Sequence, residues 1–109
     1  MGLLDLFNIS RPDINKIVAG LADEPGAILL DVREPDEYRK GHIPGSINLP
    51  VKRVAAEAAA VLPDKAAPVY VYCLSGARSS RAVEALKAAG FSSVTNVGGI
   101  RAYSGKLEI

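Results

Sequence analysis

The 109-residue chain has little of several residue types that define classes of protein. It contains one cysteine, one histidine and no tryptophan. One cysteine excludes an intramolecular disulfide and argues against a small secreted scaffold, so we expect a cytoplasmic protein. One Cys and one His do not supply the ligands of a metal site. The pair Gly98-Gly99 is too short and badly placed for a nucleotide-binding loop, and we expect no cofactor.

The chain also lacks long apolar runs and an excess of charge of one sign. Its first ten residues, MGLLDLFNIS, have neither the basic region nor the apolar length of a signal peptide or membrane span. Leu6 stands where N-myristoylation requires Ser or Thr. A net charge of +1 gives no reason to expect a nucleic-acid or membrane partner. After Cys73, however, basic residues outnumber acidic ones, which suggests a small anionic ligand. The basic residues are Arg78, Arg81, Lys87, Arg101 and Lys106, and the acidic ones are Glu84 and Glu108.

What remains is an ordinary globular composition, 49% apolar and 23% charged, at the usual size of one domain. We predict a short arm over residues 1–9 and a single domain over residues 10–109. Between Met1 and Phe7 the arm is mostly apolar. It has two possible roles, packing on the domain or packing on a second copy of the chain.

Helical and strand-like segments alternate along the chain, with Gly or Pro at each change. Helices are predicted after a Ser10 cap, over 35–40, from Pro50 to Leu62 (with Val61 and Leu62 on its buried face) and over 77–89. Nearly continuous apolar runs predict strands over 27–32, 46–49, 69–72 and 94–97. This alternation predicts an α/β fold with a parallel sheet and helices on both faces. Ligands bind beyond the carboxyl ends of such strands, where Asp31 and Cys73 fall.

The segment Tyr72-Cys73-Leu74-Ser75-Gly76-Ala77-Arg78-Ser79-Ser80 joins a predicted strand to a predicted helix. The start of a helix leaves backbone N–H groups without helical partners, and these groups together with the helix dipole attract negative charge. Gly76 permits a tight curl of the backbone, and Arg78 and Ser79 add donors. We therefore expect the segment to form an anion-binding loop.

A cysteine at the start of such a loop ionises more readily than usual. An ordinary thiol, with a pKa of about 8.5, is only about 3% thiolate at neutral pH. The loop N–H groups lower the pKa of the thiol, and they would stabilise the terminal sulfur of a persulfide in the same way. An isolated cysteine is more often a small buried hydrophobe, but the glycine, the arginine and the strand–loop–helix setting favour a reactive Cys73.

Three motifs of the chain resemble those of the rhodanese-like family. The first runs from Asp31 to Tyr38 and continues from Gly41 to Asn48. The second is the loop Tyr72–Ser79, and the third is Gly90-Phe91 with Asn96-Val97-Gly98-Gly99-Ile100. They occur in the family's order, and the resemblance covers nearly the whole chain from about Ser10.

The resemblance implies a rhodanese-like three-layer α/β/α fold whose parallel sheet has five strands. It also implies that Cys73 is the persulfide-forming nucleophile and that backbone N–H groups from Leu74 to Arg78 form the cradle. The family's donor is usually thiosulfate and its laboratory acceptor is cyanide. Tyr103 stands where many members have Trp, a change that we expect to affect packing more than chemistry.

The length of the loop separates two related chemistries. Six residues from Cys73 to Arg78 are the length associated with sulfurtransferases of this fold. Related dual-specificity phosphatases and arsenate reductases use a loop that is one residue longer, which makes room for a tetrahedral oxyanion. The chain is therefore expected to hold one sulfur atom well and phosphate poorly.

Other polar residues have a structural and a functional interpretation. His42 lies in a turn, where a hydrogen-bonding role is favoured over that of a general base. Asp31 and Arg33 stand at a strand end, where a structural ion pair is favoured over direct catalysis, although Arg33 could reach an anionic donor. For Arg78 we favour a role in attracting thiosulfate and fixing the loop, because a plain cation is mildly unfavourable at a helix start.

The leading hypothesis is a thiosulfate sulfurtransferase that uses Cys73. Because the chain has no second cysteine, the acceptor must be external: cyanide, a small thiol or a partner protein. One alternative is a relay that receives sulfur from a protein persulfide, and another is a non-catalytic interaction module. The intact Cys73 and its loop argue against the interaction module.

Overall fold

The computed structural model describes residues 12–109; the predicted arm and the predicted cap Ser10 lie outside the described residues. Helices and strands alternate along the described chain. The helices are α1 (Ile14–Gly20), α2 (Pro35–Lys40), α3 (Val51–Val61) and α4 (Ala77–Ala88). The strands are β1 (Ile28–Asp31), β2 (Ile47–Asn48), β3 (Val69–Cys73) and β4 (Val94–Gly99). Short 3-10 turns cover Leu21–Asp23 and Ile100–Ala102.

The four strands form one parallel sheet in the order β2-β1-β3-β4. The family resemblance implies five strands, so the structure corrects that number to four for residues 12–109. The other extended pairing in this part of the chain is a single antiparallel bridge, in which the backbones of His42 and Glu108 exchange hydrogen bonds of 2.9 and 2.8 Å. One bridge is too short to count as a strand.

Local sequence explains where the first two helices begin. Asp13 caps α1 by accepting a hydrogen bond from the backbone N–H of Asn15 at 2.9 Å. In α2, Glu34 and Glu37 form a reciprocal capping box around Pro35 in the first turn. Gly41 ends this helix, as the sequence predicts.

Both faces of the sheet are covered, which confirms the three-layer α/β/α architecture. On one face the strands pack against α3 and α4 through Val54, Ala58, Leu62, Ala82, Val83, Leu86 and neighbouring residues. On the other face Leu29, Tyr72 and Val97 pack against Ile14 of α1. Tyr103 contacts this second cluster, so the residue that replaces the family's Trp is a packing residue here.

One core prediction is wrong. Val61, expected on the buried face of α3, is 38% exposed. The backbone leaves helical geometry at Leu62, with φ of −122°, and Leu62 itself is buried as expected. None of the helices within residues 12–109 is long and apolar enough to cross a membrane.

Candidate active site

Cys73 is the last residue of β3, the central strand between β1 and β4. Asp31 ends the neighbouring strand β1 and lies opposite Tyr72 in the parallel register. On the other side Cys73 lies opposite Gly99 at the end of β4. The structure thus places Asp31 and Cys73 at the same edge of the sheet, where parallel strands present their carboxyl ends.

The loop after Cys73 curls tightly into the start of α4. Gly76, the residue before the helix, has φ of +112°, a conformation that favours glycine. Gly99 lies directly behind the loop, since a Cβ atom there would be 2.0 Å from the carbonyl oxygen of Leu74. The backbone N–H of Arg101 donates to that same carbonyl at 3.3 Å. The end of β4 therefore fixes the loop from behind.

The sulfur of Cys73 lies inside this curl. The residue is 1% exposed, whereas Leu74, Ser75 and Ala77 are exposed around it. The backbone N–H of Gly76 points at Sγ with a distance of 3.0 Å between nitrogen and sulfur. The hydroxyl oxygen of Ser79, at the start of α4, is 3.5 Å from Sγ. The sulfur therefore has hydrogen-bonding partners on the side of the helix.

These contacts and the burial of the sulfur determine the pKa of the Cys73 thiol. Burial by itself raises the pKa of the Cys73 thiol, because a thiolate loses water. The Ser79 hydroxyl and the backbone N–H groups of Ser79, Gly76 and Ser75 stabilise the thiolate and lower the pKa. The hydrogen bonds outweigh burial, so the pKa of Cys73 lies below its ordinary value. The site is built to hold an anionic sulfur.

Ser79 belongs to a polar network that reaches β4. Its hydroxyl oxygen lies 2.7 Å from Oδ1 of Asn96 and 3.0 Å from the carbonyl oxygen of Gly76. Asn96 in turn contacts Gly98 and Gly76 through the two ends of its amide. The network joins the last strand, the loop and the first turn of α4.

Arg78 is paired with an acidic partner. Its Nη1 and Nη2 donate to the two carboxylate oxygens of Glu37 at 2.6 and 3.0 Å, which joins α4 to α2. These hydrogen bonds hold the pKa of Glu37 down at about 2. The guanidinium therefore fixes the first turn of α4 to its neighbour, and the carboxylate balances much of its charge. Both side chains remain partly exposed, at 26% and 33%.

Asp31 and Arg33 form a buried ion pair. Nη2 of Arg33 is 2.8 Å from Oδ2 of Asp31, and the same nitrogen donates to the carbonyl of Gly41 at 2.8 Å. The backbone N–H of Arg33 also donates to Asp31 at 2.9 Å. The guanidinium lies 5.9 Å from the ring centre of Tyr72. The structure thus places the two residues as a clamp between β1 and the end of α2.

His42 lies in the turn after α2 and contacts Tyr38 and Glu108. Its Nδ1 is 2.9 Å from the carbonyl oxygen of Tyr38, and the two rings stack at 3.7 Å between centroids. Nε2 is 3.6 Å from a carboxylate oxygen of Glu108. These contacts give His42 a structural role. Among residues 12–109 no group of three His, Cys, Asp or Glu side chains is placed to hold a metal ion.

Two clefts open beside the loop. One, of about 210 Å³, is lined by Leu74, Ser75, Gly99, Arg101 and Ala102. The other is larger, about 570 Å³, and is lined by Ser75, Gly76, Ser80, Asn96, Gly98 and neighbouring residues. Arg101 forms no ion pair with another side chain of the described chain. It is the cation that lines the smaller cleft.

Three residues of this site were not singled out from the sequence. Glu37 lies inside the first family motif and ends the capping-box pattern Glu34-Pro35-Asp36-Glu37, and neither pattern predicts a partner 41 residues away. Asn96 and Gly99 lie inside the third family motif. Their roles depend on how closely β4 approaches the loop, which the sequence does not show.

Comparison with known proteins agrees with this geometry. The sequence model of the family described as "Rhodanese-like domain" matches residues 15–106. The thiosulfate sulfurtransferase PspE of Escherichia coli is 42% identical over 72 residues, 66% of this chain and 69% of PspE. The thiosulfate:glutathione sulfurtransferase of Saccharomyces cerevisiae is 32% identical over 102 residues, 84% of this chain and 72% of that protein.

A solved structure shows the same fold. A rhodanese from E. coli, determined with anions, superposes with a TM-score of 0.70 at 36% sequence identity, and the match covers 75% of this chain and 96% of that one. The chain belongs to the rhodanese-like family. At the level of that family, its relatives support sulfur transfer as its chemistry.

Proposed function

We propose that the protein is a thiosulfate sulfurtransferase that carries sulfane sulfur on Cys73 as a persulfide. The observation that carries the proposal is the position of Sγ, 3.0 Å from the Gly76 nitrogen and inside a loop that leads into α4. Donors directed at a sulfur stabilise both a thiolate and the terminal sulfur of a persulfide. We place the protein in the cytoplasm, where its single cysteine stays reduced.

In the first step the Cys73 thiolate attacks the outer sulfur of thiosulfate. A bond forms between Sγ and that sulfur, and the sulfur–sulfur bond of thiosulfate breaks. Sulfite leaves with the bonding electron pair, and Cys73 becomes a persulfide anion. No proton and no external oxidant is needed, because the three negative charges of the reactants reappear on the persulfide and the sulfite.

In the second step a nucleophile attacks the terminal sulfur and regenerates the Cys73 thiolate. Cyanide gives thiocyanate by this route, and a thiolate gives a persulfide. The chain has no second cysteine, so the acceptor comes from outside it, as a small molecule or as a partner protein. The exposed residues around the buried sulfur, Leu74, Ser75 and Ala77, form the surface that an acceptor would meet first.

The span of the loop supports sulfur over phosphate as its cargo. Six residues from Cys73 to Arg78 close the curl, and Gly76 nitrogen already lies within hydrogen-bonding distance of Sγ. A phosphatase or arsenate reductase needs room for a tetrahedral oxyanion above the sulfur. Hydrolysis of an aryl phosphate that is lost on Cys73→Ser would contradict this reasoning.

A relay that takes sulfur from a protein persulfide is the second candidate. The observation that favours it is the pairing of Arg78 with Glu37, which balances the cation expected to attract thiosulfate. A persulfide donor has less negative charge than thiosulfate and depends less on such a cation. The two candidates share Cys73 and differ in the donor.

Sulfite release in a single turnover separates these functions. The protein mixed with thiosulfate in the absence of an acceptor is expected to release one sulfite per chain, and Cys73→Ser is expected to release none. Cyanide then supports continuous formation of thiocyanate. A relay gives no sulfite but becomes loaded by an organic persulfide. If neither donor loads Cys73, the protein is an interaction module and the proposal is wrong.

A further inference from the structure

Asn96 is the residue of β4 whose side chain contacts the sulfur site. Its Nδ2 donates to the carbonyl oxygen of Gly76 at 3.2 Å, and its Oδ1 accepts from the backbone N–H of Gly98 at 2.9 Å. One end of the amide faces an acceptor and the other faces a donor, so its orientation is fixed. Oδ1 is therefore the atom that lies 2.7 Å from the Ser79 hydroxyl oxygen.

This orientation determines the direction of the Ser79 hydroxyl. Oδ1 of Asn96 has no proton, so at 2.7 Å the hydroxyl must be the donor. The competing acceptors are weaker. The Gly76 carbonyl already accepts from Asn96 and from the Ser80 backbone N–H, and the Gly98 carbonyl is 3.4 Å away. The one proton of Ser79 therefore points at Asn96.

The neutral and ionised states of Cys73 form different hydrogen bonds with the Ser79 hydroxyl. While Cys73 is a thiol, its S–H donates to the Ser79 oxygen across 3.5 Å, and Ser79 donates onward to Asn96. A thiolate has no proton to donate and accepts hydrogen bonds instead. The single proton of Ser79 then has two acceptors, Asn96 Oδ1 and the sulfur, which compete for it.

We propose that Asn96 is a positioning residue that competes with the Cys73 thiolate for the single proton of Ser79. By withholding part of this hydrogen bond, Asn96 keeps the sulfur more basic than the loop alone would make it. A more basic thiolate is a stronger nucleophile, and attack is fastest when its pKa lies near the ambient pH. The inference deepens the proposed function because it concerns the same sulfur.

The charged groups near Cys73 come from other elements and stay unchanged when Asn96 is replaced. Arg78 of α4 interacts electrostatically with Cys73, with Glu37 of α2 and with Asp31 of β1. Arg33 pairs with Asp31. The end of β4, from Asn96 to Gly99, has no titratable side chain. A change in ionisation on replacing Asn96 therefore reports on hydrogen bonding.

The test is the pH dependence of alkylation of Cys73 by iodoacetamide, which needs neither a sulfur donor nor an acceptor. Asn96→Leu keeps the side chain's approximate size and removes the competing acceptor. Below the midpoint of ionisation this variant is expected to react faster, because about fivefold more thiolate forms once Ser79 is free to donate to sulfur. At high pH, where every chain is ionised, it is expected to react about twofold more slowly, because the less basic sulfur is a weaker nucleophile.

A double-mutant cycle isolates the route through Ser79. In a Ser79→Ala background the replacement of Asn96 is expected to leave the profile unchanged. Ser80→Ala is the matched control, because Ser80 is exposed and is the neighbouring serine on α4. Circular dichroism checks folding, and Asn96→Thr, which suits a strand and is too short to reach Ser79, replaces the leucine variant if that one does not fold.

The direction in which the ionisation of Cys73 shifts distinguishes a positioning role of Asn96 from a purely structural one. If Asn96 only holds the loop in shape, its loss misaligns the N–H groups and moves ionisation to higher pH. That outcome, an unchanged profile, or an equal shift in the Ser79→Ala background would overturn the inference. A protein that shows the expected profile but accepts no sulfur would leave the inference standing and contradict the proposed function.

Discussion

The Cys73 sulfur is almost fully covered by protein and yet is stabilised as an anion. Burial raises the pKa of the thiol, and donors from Ser79, Gly76 and Ser75 lower it by more. In the proposed persulfide the same donors stabilise the added sulfur. At the scale of single residues, the site is a set of backbone N–H groups and one serine hydroxyl around one atom.

The two arginines near the loop are placed differently. Arg78 is held by Glu37, whereas Arg101 lines the smaller cleft and has no ionic partner within residues 12–109. We therefore propose that Arg101 attracts a donor anion, whereas the sequence analysis favours Arg78 for this role. The sequence does not show which arginine is paired, because Glu37 and Arg78 are brought together by the fold.

We predict that Arg101→Gln raises the KM for thiosulfate about threefold to tenfold with little change in kcat, because it removes electrostatic attraction to a dianion. Steady-state formation of thiocyanate at low and high salt measures this effect, which is expected to shrink at high salt. Arg81→Gln is the matched control, since Arg81 is an exposed cation further along α4. Equal effects of the two substitutions would show that only net charge matters.

At the scale of elements, β4 supports the loop that follows β3. The backbone of β4 packs directly against the loop at Gly99. A Cβ atom at this position would lie too close to the Leu74 carbonyl for a side chain to fit. Backbone atoms form this contact and cannot move aside. The third family motif therefore includes a glycine because two backbones meet there.

Gly99→Ala is expected to destabilise the protein by about 2–4 kcal/mol and to reduce sulfur transfer more than the loss of folded protein explains, because the loop must shift. Urea unfolding and activity per folded chain measure the two effects. Gly20→Ala is the control: a Cβ there meets nothing within 4 Å, and the residue lies at the end of α1. A Gly99→Ala protein as stable and active as the control would contradict the close contact.

At the scale of the whole molecule, the order β2-β1-β3-β4 brings the ends of β1, β3 and β4 to one edge. Most of this could be predicted from the sequence. Apolar runs marked the four strands, and Gly and Pro marked their ends. The fifth strand implied by family resemblance is not found in residues 12–109, and the contacts of Glu37 and Asn96 could not be predicted because they join residues distant in sequence.

The Glu37–Arg78 pair also joins α2 to α4 at this edge, and it makes a prediction for stability. The folded pKa of Glu37 is about 2 against an ordinary 4.5, so the pair stabilises the fold above pH 4.5, and the contribution is lost as the pH falls towards 2. One third of the Glu37 side chain is exposed, so solvent screening limits the contribution to about 1 kcal/mol.

Urea unfolding across this pH range is expected to show Glu37→Gln less stable than the wild type at neutral pH and equal to it near pH 2. Glu84→Gln is the matched control, because Glu84 is an exposed acid on α4. A difference between Glu37→Gln and wild type that stays constant from neutral pH down to pH 2 would show that the carboxylate is not stabilised by the pair.

The most direct test of the central claim is the mass of the intact protein after incubation with thiosulfate. The protein is expected to gain the mass of one sulfur atom, located on Cys73 by peptide mapping and removed by cyanide. Cys73→Ser is expected to gain nothing. An unchanged mass with thiosulfate and with an organic persulfide, in protein shown to be folded, would contradict the claim that Cys73 carries sulfur.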